Sequence, residues 1–311
     1  MKRRDFVKTA IAGSAIACTN SLFAAEKKSQ KQPDLVAIHG GSAVQMFEKG
    51  IAEMGGMSRF VKKGQTVVLK PNIAWDRTPD FGANTDPDLV AAVVKACLAA
   101  GAKKVLCFDH TCHAADDCYK HSGTAEAVEK AGGEMVSGNA HSMFIDQDIP
   151  RGVSLKKAKV HKLAAEADVF INMPILKHHG GTKITCAMKN YMGCILDRQF
   201  WHRNDLPQCI ADFSSYQKTS LTIVDAYHVM LEHGPQGKDP KFAPVVKYQV
   251  ISTDIVAADA AAVQIFATVA KQYGMGKPYT LNEIPYIGLA EKLGVGTADL
   301  SKLNVKRISV A

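Results

Sequence analysis

Charged and amide side chains stand at the ends of several apolar runs that have the composition of buried strands. These end positions are Lys70, Asn72, Asp109, Lys177, Asp225 and Asp254. Ligands of open α/β sheets bind at the carboxyl edge of the strands, so we expect these side chains to share one cleft. The lysine and asparagine side chains would hold an anion there, and Asp225 and Asp254 would orient the lysines or bind metal. The pattern predicts a site for a small anionic ligand.

A glycine turn and a lysine-bearing segment form a second group of polar residues. The Gly180-Gly181 turn precedes a segment predicted to be helical from Ile184 to Tyr191. A helix start offers backbone N–H groups and a positive dipole end to an anion. Lys189 and Asn190 lie in that segment and are expected to bind the same ligand. The G-x-x-x-x-G-K-S/T spacing is absent from the sequence, so a nucleoside triphosphate is not indicated.

Histidines near these groups are candidates for proton transfer. Imidazole titrates near neutral pH, so we assign acid–base roles to His178 and His202, with Asp109 as the third catalytic candidate. Adjacent side chains on a strand point to opposite faces, so at most one of His178 and His179 faces the cleft. The sequence contains no G-x-S-x-G, H-E-x-x-H or G-x-G-x-x-G motif. These absences argue against the common serine hydrolases, zinc proteases and dinucleotide dehydrogenases.

Seven cysteines lie beyond residue 25, and this odd number disfavours a simple disulfide framework. Cys97 and Cys107 lie in apolar runs and are predicted to be buried small hydrophobic residues. The segment from Asp109 to His121 contains eight potential metal ligands in thirteen residues. If four cysteines converge, they would hold a 4Fe-4S cluster; a single metal ion is the other cofactor considered. The four are Cys112, Cys118, Cys194 and Cys209.

The spacing of the first two of these cysteines supports more than one interpretation. Cys112 and Cys118 are separated by five residues, which matches no strong zinc or ferredoxin pattern. A disulfide between them, or a plain polar loop with Cys118 packed at a helix start, is an equal alternative. The sequence therefore leaves metal ligand, bridge and free thiol open at these two positions.

The order of the elements predicts the fold class. Short β-branched runs alternate with helical periodicity from Leu35 onward, which is typical of an α/β protein with a layered, mostly parallel sheet flanked by helices. The predicted strands are 66–70, 105–109, 168–172, 221–225, 250–253 and 305–310, and the predicted helices are 86–100, 124–131, 206–215, 256–269 and 286–293. We expect a signal peptide at 1–25, a polar, flexible lead-in at 26–33 and a single α/β domain at 34–311.

The N-terminus resembles a twin-arginine export signal. Arg3-Arg4 is followed by an uncharged stretch from Thr9 to Ala25, too short and too rich in small residues for a membrane span. We expect cleavage after Ala25, a periplasmic or other extracytoplasmic location, and the twin-arginine translocase as a partner during export. A lipid anchor at Cys18 is the second alternative. Because that route carries folded proteins, often with an inserted cofactor, it favours a cofactor here.

The composition limits the partners. Removing residues 1–25 takes away four of 38 basic and one of 30 acidic residues, leaving 34 against 29 and a net charge of +5. Only 7% of residues are aromatic, and no block of lysines and arginines is interleaved with them. Nucleic acid is therefore not expected as a partner.

Several blocks together resemble the bacterial and archaeal domain of unknown function 362 family. The blocks are Lys70-Pro71-Asn72, Asp109, the segments 167–179 and 187–193, the run 221–226 and the segment 254–259. The resemblance covers most of the chain beyond residue 70. It implies an α/β fold and, as in many relatives, an association with iron–sulfur clusters or a ferredoxin-type module. This chain lacks a C-x2-C-x2-C-x3-C run, so a cluster would need the scattered cysteines.

These observations lead to three functional hypotheses. The first is an exported, metal- or iron–sulfur-dependent redox protein, an enzyme of the oxidoreductase type, that binds a small anion at the strand ends. The second is a cofactor-free hydrolase, isomerase or transferase acting on a carboxylate or phosphate. The third is a binding or maturation partner of another exported redox subunit, without catalysis of its own.

Overall fold

The structure is a computed structural model that describes residues 32–311. The signal peptide expected at 1–25, with its arginine pair and Cys18, lies outside the described residues, as does most of the lead-in. The strands are β1 (Leu35–His39), β2 (Thr66–Pro71), β3 (Lys104–Cys107), β4 (Glu134–Met135), β5 (Phe144–Asp148), β6 (Lys157–His161), β7 (Val169–Met173), β8 (Ile175–His179), β9 (Lys183–Thr185), β10 (Leu221–Met230), β11 (Val245–Ser252) and β12 (Val305–Ser309). The helices are α1 (Ala43–Glu53), α2 (Pro87–Ala99), α3 (Ala115–His121), α4 (Thr124–Lys130), α5 (Lys162–Glu166), α6 (Ala187–Asn190), α7 (Arg198–Arg203), α8 (Leu206–Tyr216), α9 (Ile255–Tyr273) and α10 (Pro285–Lys292).

One large sheet organises the chain. Its strand order is β12-β1-β11-β10-β7-β2-β3-β4, and β8 and β9 extend it from β10. β2 is parallel to β3 and β7, and β10 is parallel to β7 and β8, whereas β11 is antiparallel to β1 and β10. The predicted class, a layered α/β fold with a mostly parallel sheet, is confirmed. The carboxyl ends of β2, β3 and β7 consequently meet at one edge, where ligands of such sheets bind.

Two apolar cores lie on opposite faces of this sheet. Val67 and Leu69 of β2 point into the core beneath α1 and α2, and Val68 between them points into the core beneath α8 and α9. This division follows from the alternation of side chains along a strand. Cys97 and Cys107 are fully buried in the α1–α2 core, as the apolar runs around them predict.

α9 is the central helix of the other core. Within residues 32–311 it is long and apolar enough, by length and composition alone, to cross a membrane. Most of its residues are buried against the sheet and neighbouring helices, which is the position of a core helix. Its first turn is capped by Asp254.

The segment after the glycine pair differs from the prediction. The sequence predicts a helix over 184–191, but Lys183–Thr185 forms β9, antiparallel to β8, and the α-helix spans only Ala187–Asn190, followed by a 3-10 turn at Tyr191–Cys194. Gly180 and Gly181 therefore lie in the turn between two strands and not before a helix. The anion-binding helix start expected at this turn is absent from the described chain.

Candidate functional site

A cavity of about 460 Å³ opens at the carboxyl edge of the sheet. This volume lies within the usual range of small-molecule sites. Seven residues selected from the sequence as catalytic or ligand-binding line it, namely Lys70, Asn72, Asp109, Lys177, Lys189, Asn190 and His202. They come from β2 and the loop after it, the loop after β3, β8, α6 and α7. The topology brings together segments that are far apart in the chain.

Lys70 and Asp109 form a buried ion pair on one side of the cavity. Both residues are 1% exposed, and Lys70 Nζ lies 2.6 Å from Asp109 Oδ1. Lys70 Nζ also donates to the Pro71 carbonyl and to Asn190 Oδ1, each at 2.8 Å. The second carboxylate oxygen of Asp109 accepts from the Ile73 backbone N–H at 2.6 Å. Both charges are thus compensated and hydrogen-bonded, which a buried pair requires.

Asn190 connects the helix α6 to the strands β2 and β7 at the same place. Its Nδ2 donates to the Lys70 carbonyl at 3.0 Å and to Asn172 Oδ1 at 2.8 Å. Its Oδ1 accepts from Lys70 Nζ and, at 3.1 Å, from Asn72 Nδ2. Since all four contacts are made within the protein, Asn190 serves to hold β2, β7 and α6 in register.

Gly193 lets the ion pair approach the backbone. A Cβ atom at this position would lie 1.8 Å from Asp109 Oδ1 and 2.6 Å from Lys70 Nζ, far inside contact distance. The Gly193 carbonyl also accepts from the His110 N–H at 3.0 Å. The sequence offered only a glycine next to Cys194, with no sign that it faces Asp109.

Asp259 of α9 anchors the short helix α6. Its two carboxylate oxygens accept from the backbone N–H groups of Ala187 at 2.8 Å and Met188 at 3.0 Å. Burial raises the pKa of Asp259 to about 7. The anchor fixes the start of the turn that carries Lys189 and Asn190, so a core helix positions two cavity residues.

Lys189 is a buried cation with little compensation. The residue is 8% exposed, and within the described part of the chain Nζ contacts only the sulfur of Met192, at 2.7 Å. Burial, with a smaller contribution from the nearby cations Arg198 and Lys70, lowers the pKa of Lys189 to about 8, and the neighbouring Cys112 acts in the opposite direction. A thioether is a weak acceptor for an ammonium group, so the strongest missing partner is a negative charge in the cavity.

Lys177 is a second buried lysine in the cavity wall. Its Nζ donates to Asn72 Oδ1 at 3.2 Å and to the Ala83 carbonyl. Burial lowers its pKa to about 7. The amine therefore changes protonation near neutral pH while two fixed acceptors hold its position.

Of the two adjacent histidines on β8, His179 is the one that faces the cavity. Its Nδ1 accepts from the backbone N–H groups of Gly181 at 2.9 Å and Thr182 at 3.2 Å, so the neutral ring carries its proton on Nε2. Burial, followed by the charges of Lys189 and Lys177, lowers its pKa to about 2. His179 is therefore a neutral hydrogen-bond donor.

The two histidines selected from the sequence, His178 and His202, differ in position. His202 lines the cavity with its ring stacked over that of His179, the centroids 6.3 Å apart, and burial with Lys189 and Arg198 lowers its pKa. His178, selected from the sequence, lies outside the cavity lining, and its Nδ1 accepts from the Gly234 N–H at 3.1 Å. Alternation along β8 operates as expected, but it turns His179 inward and His178 away.

Two predicted ligand-binding aspartates serve other parts of the fold. Asp225 accepts from the backbone N–H groups of Asp86 at 2.8 Å and Tyr227 at 2.9 Å. Burial, and then the charge of Asp86, raises its pKa to about 7. Asp254 caps α9 and also accepts from the Thr297 N–H at 2.9 Å. Neither residue is in the lining of the cavity, and the oxygens of both accept hydrogen bonds from neighbouring backbone.

The four cysteines proposed as cluster ligands do not share a site. Cys112 is exposed at the cavity, Cys118 is buried in the α1–α2 core, and Cys194 and Cys209 are buried in the α8–α9 core across the sheet. No group of three or more His, Cys, Asp or Glu side chains in residues 32–311 is arranged to hold a metal ion. The donor set expected for a 4Fe-4S cluster is thus not assembled by these four residues.

The thiols in the described chain are unpaired. All seven cysteines are free, so the alternative of a Cys112–Cys118 disulfide is not realised. The sulfur of Cys112 instead accepts from Arg198 Nη1 at 3.1 Å. Arg198 also donates to the carbonyls of His110 at 2.9 Å and Thr111 at 2.6 Å, which fastens the loop after β3. Arg198 and His179 are cavity residues that sequence reasoning did not select.

Comparison with known proteins identifies the family. The model of the family described as domain of unknown function (DUF362) matches residues 67–264, and the chain belongs to this family. It is 26% identical over 261 residues to a thylakoid-associated protein of Synechocystis sp., and the alignment covers 79% of each protein. The family predicted from the sequence blocks is therefore confirmed.

Two solved structures are similar to the chain. One is the crystal structure of a Thermotoga maritima protein, with a TM-score of 0.47, 12% identity and coverage of 72% of this chain and 59% of that one. The other is the lactate racemase apoprotein of Thermoanaerobacterium thermosaccharolyticum, with a TM-score of 0.49, 14% identity and coverage of 78% and 58%. The chain spans less than three fifths of the length of either protein.

Proposed function

We propose that this protein is an enzyme that binds a small carboxylate- or phosphate-bearing substrate in the cavity and moves a proton on it. The observation that carries the proposal is Lys189, a buried ammonium group that lines the cavity and whose hydrogen-bond partner among residues 32–311 is the Met192 sulfur. Burying a cation without a partner costs several kcal/mol, roughly, and an anionic ligand recovers much of that cost. The proposal corresponds to the second of the three hypotheses drawn from the sequence.

The charges around the cavity support anion binding. Lys70 is neutralised by Asp109, but Lys177, Lys189 and Arg198 have no carboxylate within ion-pair distance among residues 32–311. The cavity therefore carries an excess of positive charge in a place where little solvent screens it. Clefts of one charge sign concentrate oppositely charged ligands.

Two cavity groups suit proton transfer at neutral pH. Lys177, with a pKa of about 7, exists in both forms and can take or give a proton. His179 keeps its Nε2 proton and can stabilise negative charge that develops on a substrate oxygen. A substrate whose anionic group is held by Lys189 would present its reacting carbon or oxygen to these two groups.

The test is calorimetric titration with sulfate and with malonate. Lys189→Met is expected to weaken the binding of both by at least about tenfold, which corresponds to the loss of one charge-assisted contact. Lys183→Met is the matched control, because this lysine donates to the Glu283 carbonyl and does not line the cavity. Equal affinity in wild type and Lys189→Met, or equal losses in both variants, would overturn the proposal.

The other expectations from the sequence remain predictions. Export by the twin-arginine route concerns residues outside the described chain. An oxidoreductase role with a metal or cluster would require donors other than the four cysteines together. The anion site and the proton transfer at Lys177 depend neither on export nor on a metal centre.

A further inference from the structure

Cys112 differs from every other described cysteine in its exposure. The remaining six are buried, whereas the sulfur of Cys112 lies at the cavity surface, in the loop after β3. Buried thiols in apolar surroundings are inert, and for Cys107, Cys118 and Cys194 burial also raises the pKa. Cys112 is thus the sulfur nucleophile that a ligand in the cavity can reach.

The surroundings of Cys112 would bring an anionic electrophile to it. Arg198 Nη1 lies 3.1 Å from the sulfur, and Lys177 and Lys189 line the same cavity. Lys189 is the second and independent sign of a ligand, because it is more than nine-tenths buried and lacks an oxygen partner in the described chain. A ligand carboxylate held by these cations has its neighbouring carbon near the loop that carries the thiol.

Hydrogen-bond donors for a developing oxyanion are present in the same wall. Nδ1 of His179 is occupied by two backbone N–H groups, which leaves the Nε2 proton for the cavity. Lys189 supplies further N–H donors. Fixed donors of this kind stabilise an alkoxide that forms when a nucleophile adds to a carbonyl group.

We propose, on the basis of the anion-binding function above, that Cys112 is a nucleophile that adds reversibly to the carbonyl carbon of a small carboxylate bearing an aldehyde or 2-oxo group. The sulfur forms a bond to the carbonyl carbon, and the π electron pair moves to the oxygen. The thiol proton passes to the Lys177 amine, and the resulting ammonium group gives that proton to the alkoxide, which hydrogen bonds from His179 Nε2 and Lys189 Nζ stabilise. The net change is one C–S bond formed and one proton moved from sulfur to oxygen, with no oxidant or reductant.

The first test compares alkylation by iodoacetate, an anion, with alkylation by neutral iodoacetamide. In both reactions sulfur replaces iodide on carbon. The rate with iodoacetate divided by the rate with iodoacetamide at Cys112 is expected to be at least about tenfold higher in the folded protein than in urea. This ratio should fall when salt is added and in the Lys189→Met variant. Tryptic cleavage places Cys107, Cys112 and Cys118 in one peptide, so two buried thiols serve as internal controls. The same ratio in folded and unfolded protein would overturn the proposal.

The second test concerns the carbonyl group. Glyoxylate and glycolate have the same charge and nearly the same size, but only glyoxylate has an electrophilic carbon. Carbon-13 NMR with glyoxylate labelled at its aldehyde carbon is expected to give a protein-bound thiohemiacetal signal that is lost in Cys112→Ser. Glyoxylate is expected to protect Cys112 from iodoacetamide at least about tenfold more than glycolate at equal occupancy of the cavity. A bound signal that survives Cys112→Ser, such as a lysine imine trapped by borohydride, contradicts the role of the thiol.

The two proposals fail separately. If sulfate binding depends on Lys189 but glyoxylate forms no adduct with Cys112, the nucleophile is refuted and the anion site stands. If sulfate binding does not depend on Lys189, the anion site itself is refuted, whatever the reactivity of the thiol.

Discussion

Lys70 and Lys189 lie in the same cavity, and both are more than nine-tenths buried, but their surroundings differ. Lys70 has a carboxylate at 2.6 Å and two further oxygen acceptors at 2.8 Å. Lys189 has a thioether sulfur at 2.7 Å. The charge of Lys70 is therefore compensated within the protein, whereas that of Lys189 has no compensating oxygen among residues 32–311.

This difference separates structure from function inside one site. A compensated buried charge holds strands together, and removing either partner leaves the other charge isolated. An uncompensated buried charge destabilises the empty protein and is retained where a ligand supplies the missing partner. We therefore assign the Lys70 side of the cavity to its architecture and the Lys189 side to ligand binding.

The largest effect is expected for Lys70→Met, which breaks the compensated side. The carboxylate of Asp109 stays buried without its cation, and such a loss costs about 3–5 kcal/mol in the free energy of unfolding. Urea denaturation followed by circular dichroism measures this change. Lys189→Met is the control, and its stability should equal or exceed that of wild type, because no oxygen partner is lost. Equal destabilisation by both variants would contradict the comparison.

Gly193→Ala should damage the same side by a steric route. The new methyl group would lie 1.8 Å from Asp109 Oδ1, so the ion pair or the turn after α6 must shift. We expect a loss of about 1–3 kcal/mol in the free energy of unfolding, the usual cost of overpacking. Gly180→Ala is the matched control, since no atom lies within 4 Å of a Cβ at that position. A stability for Gly193→Ala like that of the control would show that the close approach is unimportant.

The pH dependence of sulfate binding should show whether the charges of Lys177 and Lys189 hold the anion. The pKa of Lys177 is lowered to about 7 and that of Lys189 to about 8, so both lose their charge as the pH rises from 6 to 9. Because sulfate prefers the protonated lysines, its affinity should fall by about tenfold or more over this range. Sulfate does not titrate there itself, which makes calorimetry interpretable. In Lys189→Met the slope should be smaller; an affinity independent of pH in wild type would rule out lysine charges as the source of binding.

The smallest effect is expected for Asp254→Ala, outside the cavity. This carboxylate caps α9 through Val256 and Ala257 and also accepts from Thr297. Loss of a helix cap typically costs about 1 kcal/mol. Thermal unfolding should detect the change, whereas sulfate affinity should match wild type. A fall in affinity like that of Lys189→Met would return Asp254 to the binding site.

Much of the fold follows from local patterns. The strands at 66–70, 105–109, 168–172 and 221–225 and the helices at 86–100 and 256–269 lie at or near their predicted places. Apolar alternation and capping residues act over a few positions, and a single sequence displays them. The prediction left out β1, α1 and the β5–β6 pair. The helix predicted at 184–191 is replaced near the site by β9 and α6, short elements fixed by distant contacts such as that of Asp259.

The site was only partly predictable. Polar residues at strand ends identified the correct edge of the sheet, because parallel strands share an edge. The same rule also selected Asp225 and Asp254, whose carboxylates bind nearby backbone. An acidic residue after a strand looks the same in sequence whether it caps a helix or faces a ligand. Of the four cysteines, Cys118 is buried on one face of the sheet, Cys194 and Cys209 are buried on the other, and Cys112 is exposed at the cavity. Their spacing in the sequence carries no information on these positions.

The amino-acid sequence alone determined the family, the layered α/β class and the presence of lysines at the carboxyl edge of the sheet. Only the tertiary structure decided that Asp109 neutralises Lys70 while Lys189 has no oxygen partner within residues 32–311, and that His179 and not His178 turns inward. The physical reason is the separation along the chain over which each interaction acts. Propensity, alternation and capping depend on neighbours in the chain, whereas charge compensation depends on which distant segments the strand order brings together.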